Sequence, residues 1–497
     1  MMRLATGLVF ALALAGCAVG PNFKRPEAPA TPRFTPAPLP AETVAAPVAG
    51  GASQRFVSGA DIPAQWWTLF HSTQLDDLMR AAIKDSPNLA AAQAALRQAQ
   101  ETLTADRGAL FPSLDAQLGV QRSNTLSGFP GTIYTVYNAT VNVSYKLDLF
   151  GGVRRQIEAA GAQVDYQNYL LEAAYLTLTS NIVTTVVQEA SLRAQTRATR
   201  EILAAQEKQL EVVERQLKLG GVSRTDVLAQ RTQVAQTRAL LPPLEKQLAQ
   251  TRHRLAILTG KLPSETTLPE FEIDALSLPQ ELPVSLPSSL VRQRPDIRAS
   301  EALLHQASAQ VGVATANLYP QINLTGSAGS LALKPGDLFS GPAKAWSIGA
   351  GLLQPLFHGG TLSAQRRAAI AAYDQAEAQY RETVLQSFQE VADALRALDT
   401  DAVALKAQAD AEAAAREELS LTERQYRVGA VSYLSLLNAQ RQYQQSRIGA
   451  VQAEAARYAD TAALFQALGG GWWNRPALAE TPAAGSGPAA GAANSSR

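Results

Sequence analysis

The chain has 497 residues, a net charge of +1 and a single cysteine. Aromatic content is only 6% while Ala and Gln abound, which favours long packed helices over a compact globule. Acids and bases alternate along the helical stretches, which argues against a nucleic-acid binder, and the lone Cys17 excludes an internal disulfide or a thiolate metal cluster.

The opening stretch MMRLATGLVFALALAGC carries one Arg, an apolar run too short to span a bilayer, and small residues ahead of Cys17. Residues 1–16 therefore read as an export signal peptide. Leu-Ala-Gly-Cys at its end resembles a bacterial lipobox, which implies thioether lipidation of Cys17. Ala18 is not the Asp that favours inner-membrane retention in such lipoproteins, so sorting to the outer membrane is expected. Residues 17–60, rich in Pro, Ala and Thr, read as a lipidated N-terminus and an extended tether.

Residues 61–261 form the first of two repeats. A helix from about 87 to 111 stops at Phe111-Pro112, because proline removes a donor and restricts the residue before it. A strand at about 113–122 alternates Leu114, Leu118 and Val120 with Asp115, Gln117 and Gln121. After a Gly- and Pro-containing loop comes a second strand at about 136–149, in which Tyr137, Ala139, Val141, Val143 and Tyr145 alternate with Asn138, Thr140, Asn142 and Ser144. From Val153 to Leu219 no proline occurs, enough for a rod of roughly 100 Å. In LKLGGVSRTD, Gly220 and Gly221 suit a left-handed helix stop and Ser223 suits the next cap. Leu203, Leu210 and Leu217 ascend to that turn and Val227, Val234, Leu241, Leu248 and Leu255 descend from it at heptad spacing, so an antiparallel coiled-coil hairpin is expected. Pro242-Pro243 should break or kink the returning helix, with Ile448-Gly449 a matching point of distortion in the second half.

Pro-rich residues 262–287 join the halves, and residues 288–470 repeat the plan. Residues 294–328 align without a gap on 86–120, pairing Pro295 with Pro87 and Pro320 with Pro112. Strands are expected at about 320–333 and 344–356, a second long helix from Thr361 to Val428, and a second tip in YRVGAVSYLS with Gly429 and Ser432. Residues 471–497 read as a disordered tail.

A membrane-spanning β-strand needs about 9 to 11 residues alternating between lipid and lumen, and these four fit. An open four-stranded sheet leaves backbone groups unpaired in lipid, so closure must come from other copies of the chain. Two copies supply about eight strands and three about twelve, and only the larger begins to leave an open lumen. A sheet packed on helices in a soluble protein is the competing reading.

No catalytic constellation can be assembled from spacing. His71, His253, His305 and His358 are scattered, and the Gly-rich stretches lack the Lys and strand-to-helix context of a phosphate loop. No enzyme activity, cofactor or metal is expected.

The lipobox, CAVGPNFKRP, WWTLFHSTQLDDLMRAAIKDSPNLAAA, the duplicated halves and both tip motifs together resemble the outer-membrane factor family, the TolC-like outer membrane efflux proteins, in their lipoprotein (OprM-like, NodT-type) branch. The resemblance covers about residues 18 to 470. It implies a mainly α fold with a transmembrane β part: a trimeric twelve-stranded β-barrel continuous with a long periplasmic α-helical barrel. Implied partners are two further copies of the chain, outer-membrane lipid, a periplasmic adaptor and an inner-membrane transporter of the resistance-nodulation-division class. The tips Gly220, Gly221, Val222 and Ser223, with Val428, Gly429, Ala430 and Ser432, would dock the adaptor, and Glu423, Tyr426 and Arg427 would hold the periplasmic end shut. The implied function is passive conduction of exported substrates. A type I protein secretion duct and a non-conducting lipid-anchored scaffold are the alternatives.

Overall fold

Short polar caps, prolines and glycines delimit the elements in the computed structural model, which describes residues 18–126, 129–265 and 267–475. The signal peptide, Cys17 and residues 476–497 of the expected tail lie outside the described residues.

The first half runs β1 (Arg55–Ser58), α1 (Thr73–Asp85), α2 (Pro87–Gly108), β2 (Ser113–Leu126), β3 (Phe129–Leu147), α3 (Gly152–Lys218) and α4 (Arg224–Leu258). The second half repeats the order as β4 (Glu281–Val284), α5 (Pro287–Gln293), α6 (Pro295–Ala316), β5 (Gln321–Ala332), β6 (Lys344–Leu353), α7 (Thr361–Arg427) and α8 (Tyr433–Ala467). Ser72 and Ser86 cap α1 and α2 by accepting from the amides of Leu75 and Leu89, and Pro87 and Pro295 occupy first-turn positions where a missing N–H costs nothing.

The two 67-residue helices α3 and α7 are each about 100 Å long at 1.5 Å per residue. α2 and α4 line one side of α3, while α6 and α8 pack between α3 and α7. The chain is thus a wall of four columns, two of them made of short helices stacked end to end. An apolar window in α3 is long enough to cross a bilayer, but most of it is buried inside the protein. It is a core helix.

Halfway along the wall sits the main core. Trp66 stacks on Phe465 of α8 with ring centroids 5.2 Å apart, and Ile62, Phe70, Leu75, Met79, Ile182 and Phe271 close around them. β1 and β4, one from each half, pair in parallel from Arg55↔Glu281 to Ser58↔Val284. The Pro-rich inter-repeat stretch therefore belongs to the core. It is also strapped to the helices: Glu272 pairs with Arg193 at 3.3 Å and Arg197 at 3.0 Å, and Arg252 donates to the carbonyl of Leu268.

Three expectations are corrected. Pro242-Pro243 does not break its helix, since α4 is continuous from Arg224 to Leu258, as α8 is across Gly449. Both prolines, and the residues Arg238 and Ala239 whose carbonyls lose their helical donors, are exposed in the chain, so water can satisfy those carbonyls. Residues 18–60 are extended but not a free tether. Arg457, wholly buried on α8, donates to the Gly50 carbonyl at 2.8 Å, to Gln54 Oε1 at 3.0 Å and to Thr43 Oγ1 at 3.2 Å, pinning the segment to the wall. At the other end, Trp472 donates to the Gln293 carbonyl at 2.5 Å, Trp473 and Asn474 bond Asp61, and Arg475 pairs with Glu172. Residues 472–475 are docked, because each side chain donates to an acceptor on the wall or on the segment that leads into it.

Candidate functional site

The strands β2-β3-β5-β6 form one antiparallel sheet in that order. Side chains on opposed residues share a face, so the register sorts every strand. Leu114↔Val143↔Gly326↔Ile348 and Ala116↔Val141↔Ala328↔Trp346 are rows of one face. Asp115↔Asn142↔Ser327↔Ser347 and Ser113↔Ser144↔Thr325↔Gly349 are rows of the other.

Among the described residues, the large apolar side chains of this face are mostly uncovered. Leu118 is 80% exposed, Ile348 84% and Trp346 77%, and large apolar side chains bared on both edge strands of one face mark a surface that lipid or a partner covers. The polar face carries cross-strand hydrogen bonds such as Ser327–Ser347 at 2.8 Å and Asn142–Gln117 at 3.4 Å. In the paired part of that face, the charged residues are Asp115 and Lys146, one of each sign. Among the described residues, both outer strands, β2 and β6, lack a partner on their far side. Since β2 and β6 run in opposite directions, β6 of one copy can pair with β2 of the next in the same antiparallel sense.

Where β3 passes into α3, the segment that follows Cys17 is fastened to the wall. Val19 N donates to the Phe150 carbonyl at 3.0 Å, and Arg155 reaches Asn22 Oδ1 at 2.7 Å and the Val19 carbonyl at 3.3 Å. Gly20 passes Gly312 so closely that a Cβ at residue 20 would come within 2.5 Å of the Gly312 Cα. Phe23 stacks on His305 at 4.4 Å, and His305 Nε2 lies 3.0 Å from Glu158. Burial opposes the Glu158 charge, but hydrogen bonds from Arg155 and His305 outweigh it and hold the carboxyl below its usual range. His305 is thus a packing residue of this fastening.

At the opposite end each coiled-coil hairpin turns identically. Gly220 N bonds the Leu217 carbonyl and Gly221 N the Gln216 carbonyl, while Gly429 N and Ala430 N bond Tyr426 and Gln425 in the same way. Gly220 and Gly429 have φ of 74° and 75°, the left-handed conformation that only glycine adopts cheaply. Gly221 does not adopt it, which is why Ala430 serves in the equivalent place. Ser223 and Asp226 form a reciprocal capping box, and Ser432 caps α8 through the Ser435 amide. Val222 tucks against the tip core, whereas Leu219 (87% exposed) and Val428 (79%) stand free at the end of the chain's wall.

Of the three residues expected to hold this end shut, the fold places one in a link between the halves. The Tyr426 hydroxyl donates to Gln216 Oε1 at 3.3 Å, and its ring lies 5.4 Å from that of Tyr433, whose hydroxyl donates to Gln230. Burial and the charge of Asp226 raise the Tyr426 hydroxyl above its ordinary range, so it stays protonated and remains a donor. Val213, Val227, Leu436 and Leu437 pack around the pair. Glu423 and Arg427 make no ion pair within their own chain among the described residues. Gln216, Gln230 and Tyr433 escaped the sequence reading, for their only signal is proximity to a turn.

A four-stranded sheet with one bare apolar face, one polar face and two open edges, continuous with a 100 Å helical wall, defines one protomer of a membrane channel. Residues 78–261 and 286–470 both match the outer membrane efflux protein family. The chain is 34% identical over 452 residues to the "Pyoverdine export outer membrane protein OpmQ" of Pseudomonas aeruginosa, covering 88% of this chain and 94% of that relative. It is 31% identical over 486 residues to the "Probable efflux pump outer membrane protein TtgC" of Pseudomonas putida, covering 95% and 98%. Among solved structures, the outer-membrane channel OprN superposes with a TM-score of 0.83 at 28% identity, over 92% of this chain and 100% of that one. The chain belongs to the outer membrane efflux protein family. It is an outer-membrane efflux channel that extends into the periplasm.

Proposed function

We propose that three copies of this chain close a twelve-stranded barrel and act as the passive exit duct of a tripartite pump. The observation that carries this reading is the sheet with two unpaired edges and a bare apolar face. In a bilayer each unpaired backbone group costs several kcal/mol, so the edges must pair with other copies. Three copies of the four-column wall, each with two 67-residue rods and two columns of stacked short helices, then give twelve columns below the barrel, matching strands to columns one for one.

In this reading a periplasmic adaptor docks on the tips around Gly220 to Ser223 and Val428 to Ser432, and an inner-membrane transporter supplies the energy. The chain itself converts no substrate. A membership among proteins named for pyoverdine export and pump efflux favours small organic cargo over a secreted polypeptide. The balanced Asp115 and Lys146 give the barrel lumen no net charge, which suits chemically diverse solutes. The Val19–Phe150 bond at the foot of the sheet, only two residues beyond Cys17, supports lipidation at a point close to the membrane. Acyl chains there would add to the barrel's hold on the membrane.

Native mass spectrometry of the detergent-extracted protein, paired with planar-bilayer recording, tests the proposal. Three chains and a stable pore are expected. A monomer that conducts, or a trimer that never does, overturns it.

A further inference from the structure

Between α3 and the α7–α8 hairpin, above the tip core, lies a cavity of about 260 Å³. Ile202 and Leu419 give it apolar walls, Glu201 and Glu423 supply carboxylates, and Gln206 and Gln440 present amides. Gln206 is 1% exposed, yet neither Nε2 nor Oε1 has a hydrogen-bond partner, and Oε1 of Gln440 is likewise unpaired. A buried amide left unpaired pays its whole desolvation penalty, so these groups call for an occupant that offers both a donor and an acceptor.

The charge of the site has a sign. Arg447 at the rim is engaged by Glu412 at 3.2 Å, and Tyr443 by Arg416, which also pairs with Glu412. Glu201 and Glu423 have no basic partner in the chain among the described residues. Two uncompensated carboxylates beside an aliphatic wall and open amides select a positive head on an apolar body. The volume falls just under that of drug-sized sites, about 300 to 1,000 Å³, and so suits a fragment-sized molecule.

We infer that this cavity is a binding site for a small amphipathic organic cation, whose ammonium faces Glu201 and Glu423 and whose polar atoms satisfy Gln206. Its walls come from both halves of the chain, so an occupant ties the first hairpin to the second. Glu423 lies one helical turn before Tyr426, and resting on the duct reading above, occupancy favours the arrangement in which Tyr426 bonds Gln216 and so shifts the conductance of the duct.

Calorimetric titration of the assembled protein in nanodiscs with 4-phenylbutylammonium tests the site, with protein-free discs subtracted and 4-phenylbutanol as the neutral probe. Saturable binding near one per chain is expected, at least tenfold weaker for the alcohol. It should be lost in Gln206→Leu and weakened at least tenfold in the double variant Glu201→Gln, Glu423→Gln. If Gln206→Leu fails to assemble, the double variant decides, because both carboxylates reach solvent and their amides keep the shape. Equal binding of the two probes, affinity unchanged in the variants, or no binding above the discs overturns the inference and leaves the cavity to water. Binding is read without conduction, so the outcome is independent of whether the chain forms a duct.

Discussion

The Tyr426 hydroxyl bonds Gln216 Oε1 across 210 residues of sequence, joining the last turn of α7 to the last turn of α3. One such bond contributes about 0.5 to 1.5 kcal/mol, and the proposed trimer would hold three. Their sum, about 1.5 to 4.5 kcal/mol, is enough to bias a two-state pore by about tenfold to a thousandfold. Arg427 makes no ion pair in its own chain among the described residues, which leaves it available for a contact with another copy in the proposed trimer. Tyr426→Phe with Arg427→Ser should therefore raise single-channel conductance and admit large antibiotics without the pump. A normally assembled double variant that conducts like the wild type would show that the constriction lies elsewhere.

The faces of the sheet predict opposite outcomes for neighbouring residues. Val141→Arg or Val143→Arg puts a charge on the bare apolar face and should weaken assembly by about 2 to 4 kcal/mol if the residue sits at mid-bilayer. Asn142→Ala, on the polar face between them, should leave the trimer intact and change conductance. Trimer yield on semi-native gels and bilayer recording separate the two, and equal effects at 141 and 142 would contradict the assigned faces.

Acylation is checked by intact mass of the membrane-extracted protein, which should begin at Cys17 and carry acyl chains. An unmodified terminus at Met1 or Ala18 would refute it. Because the sheet and the Val19–Phe150 fastening hold the body independently, Cys17→Ala exported with another signal should keep part of its activity.

At the tips, Gly220→Ala or Gly429→Ala forces a Cβ into the left-handed region and should cost about 1 to 2 kcal/mol of hairpin stability. A bulky residue at Ala430, which is exposed and outside that region, should leave folding unchanged. Site-specific cross-linking to the adaptor should nonetheless drop. Retained cross-linking and resistance with Ala430→Trp would rule out docking through this turn.

Stability should also depend on pH in a defined direction. Burial, then a hydrogen bond with and the charge of Asp401, raises Asp460 from 3.8 to about 7. Burial and the charges of Asp274 and Glu412, partly offset by Arg447, raise Glu454 from 4.5 to about 7. Both carboxyls are protonated in the fold where the unfolded chain has already ionised. The unfolded state then binds fewer protons, so stability falls as pH rises from 3.8 and 4.5 toward about 7 and levels off above it. Thermal midpoints of the trimer should drop between pH 5 and 7 in the wild type and drop less in Asp460→Asn. Parallel curves would mean that Asp460 and Asp401 do not share a proton.

Much of this protein was legible because local rules acted on contiguous residues. A period of two marked the strands, 67 residues without proline marked each rod, and Gly-Gly-Val-Ser and Gly-Ala-Val-Ser marked turns whose backbone needs glycine at one place and a hydroxyl cap three residues later. The duplication made each inference twice. Tertiary structure alone decided what depends on partners far apart in sequence. The parallel pairing of Arg55–Ser58 with Glu281–Val284 and the Tyr426–Gln216 bond each join segments over 200 residues apart, and the wholly buried Arg457 donates through its two terminal nitrogens to Thr43, Gly50 and Gln54. No local pattern encodes such pairs, because either member alone is an ordinary polar residue. Pro242-Pro243 shows the same division from the other side: proline in a helix is locally unfavourable, and only the packing, which turns those residues and their freed carbonyls outward, made an unbroken helix possible.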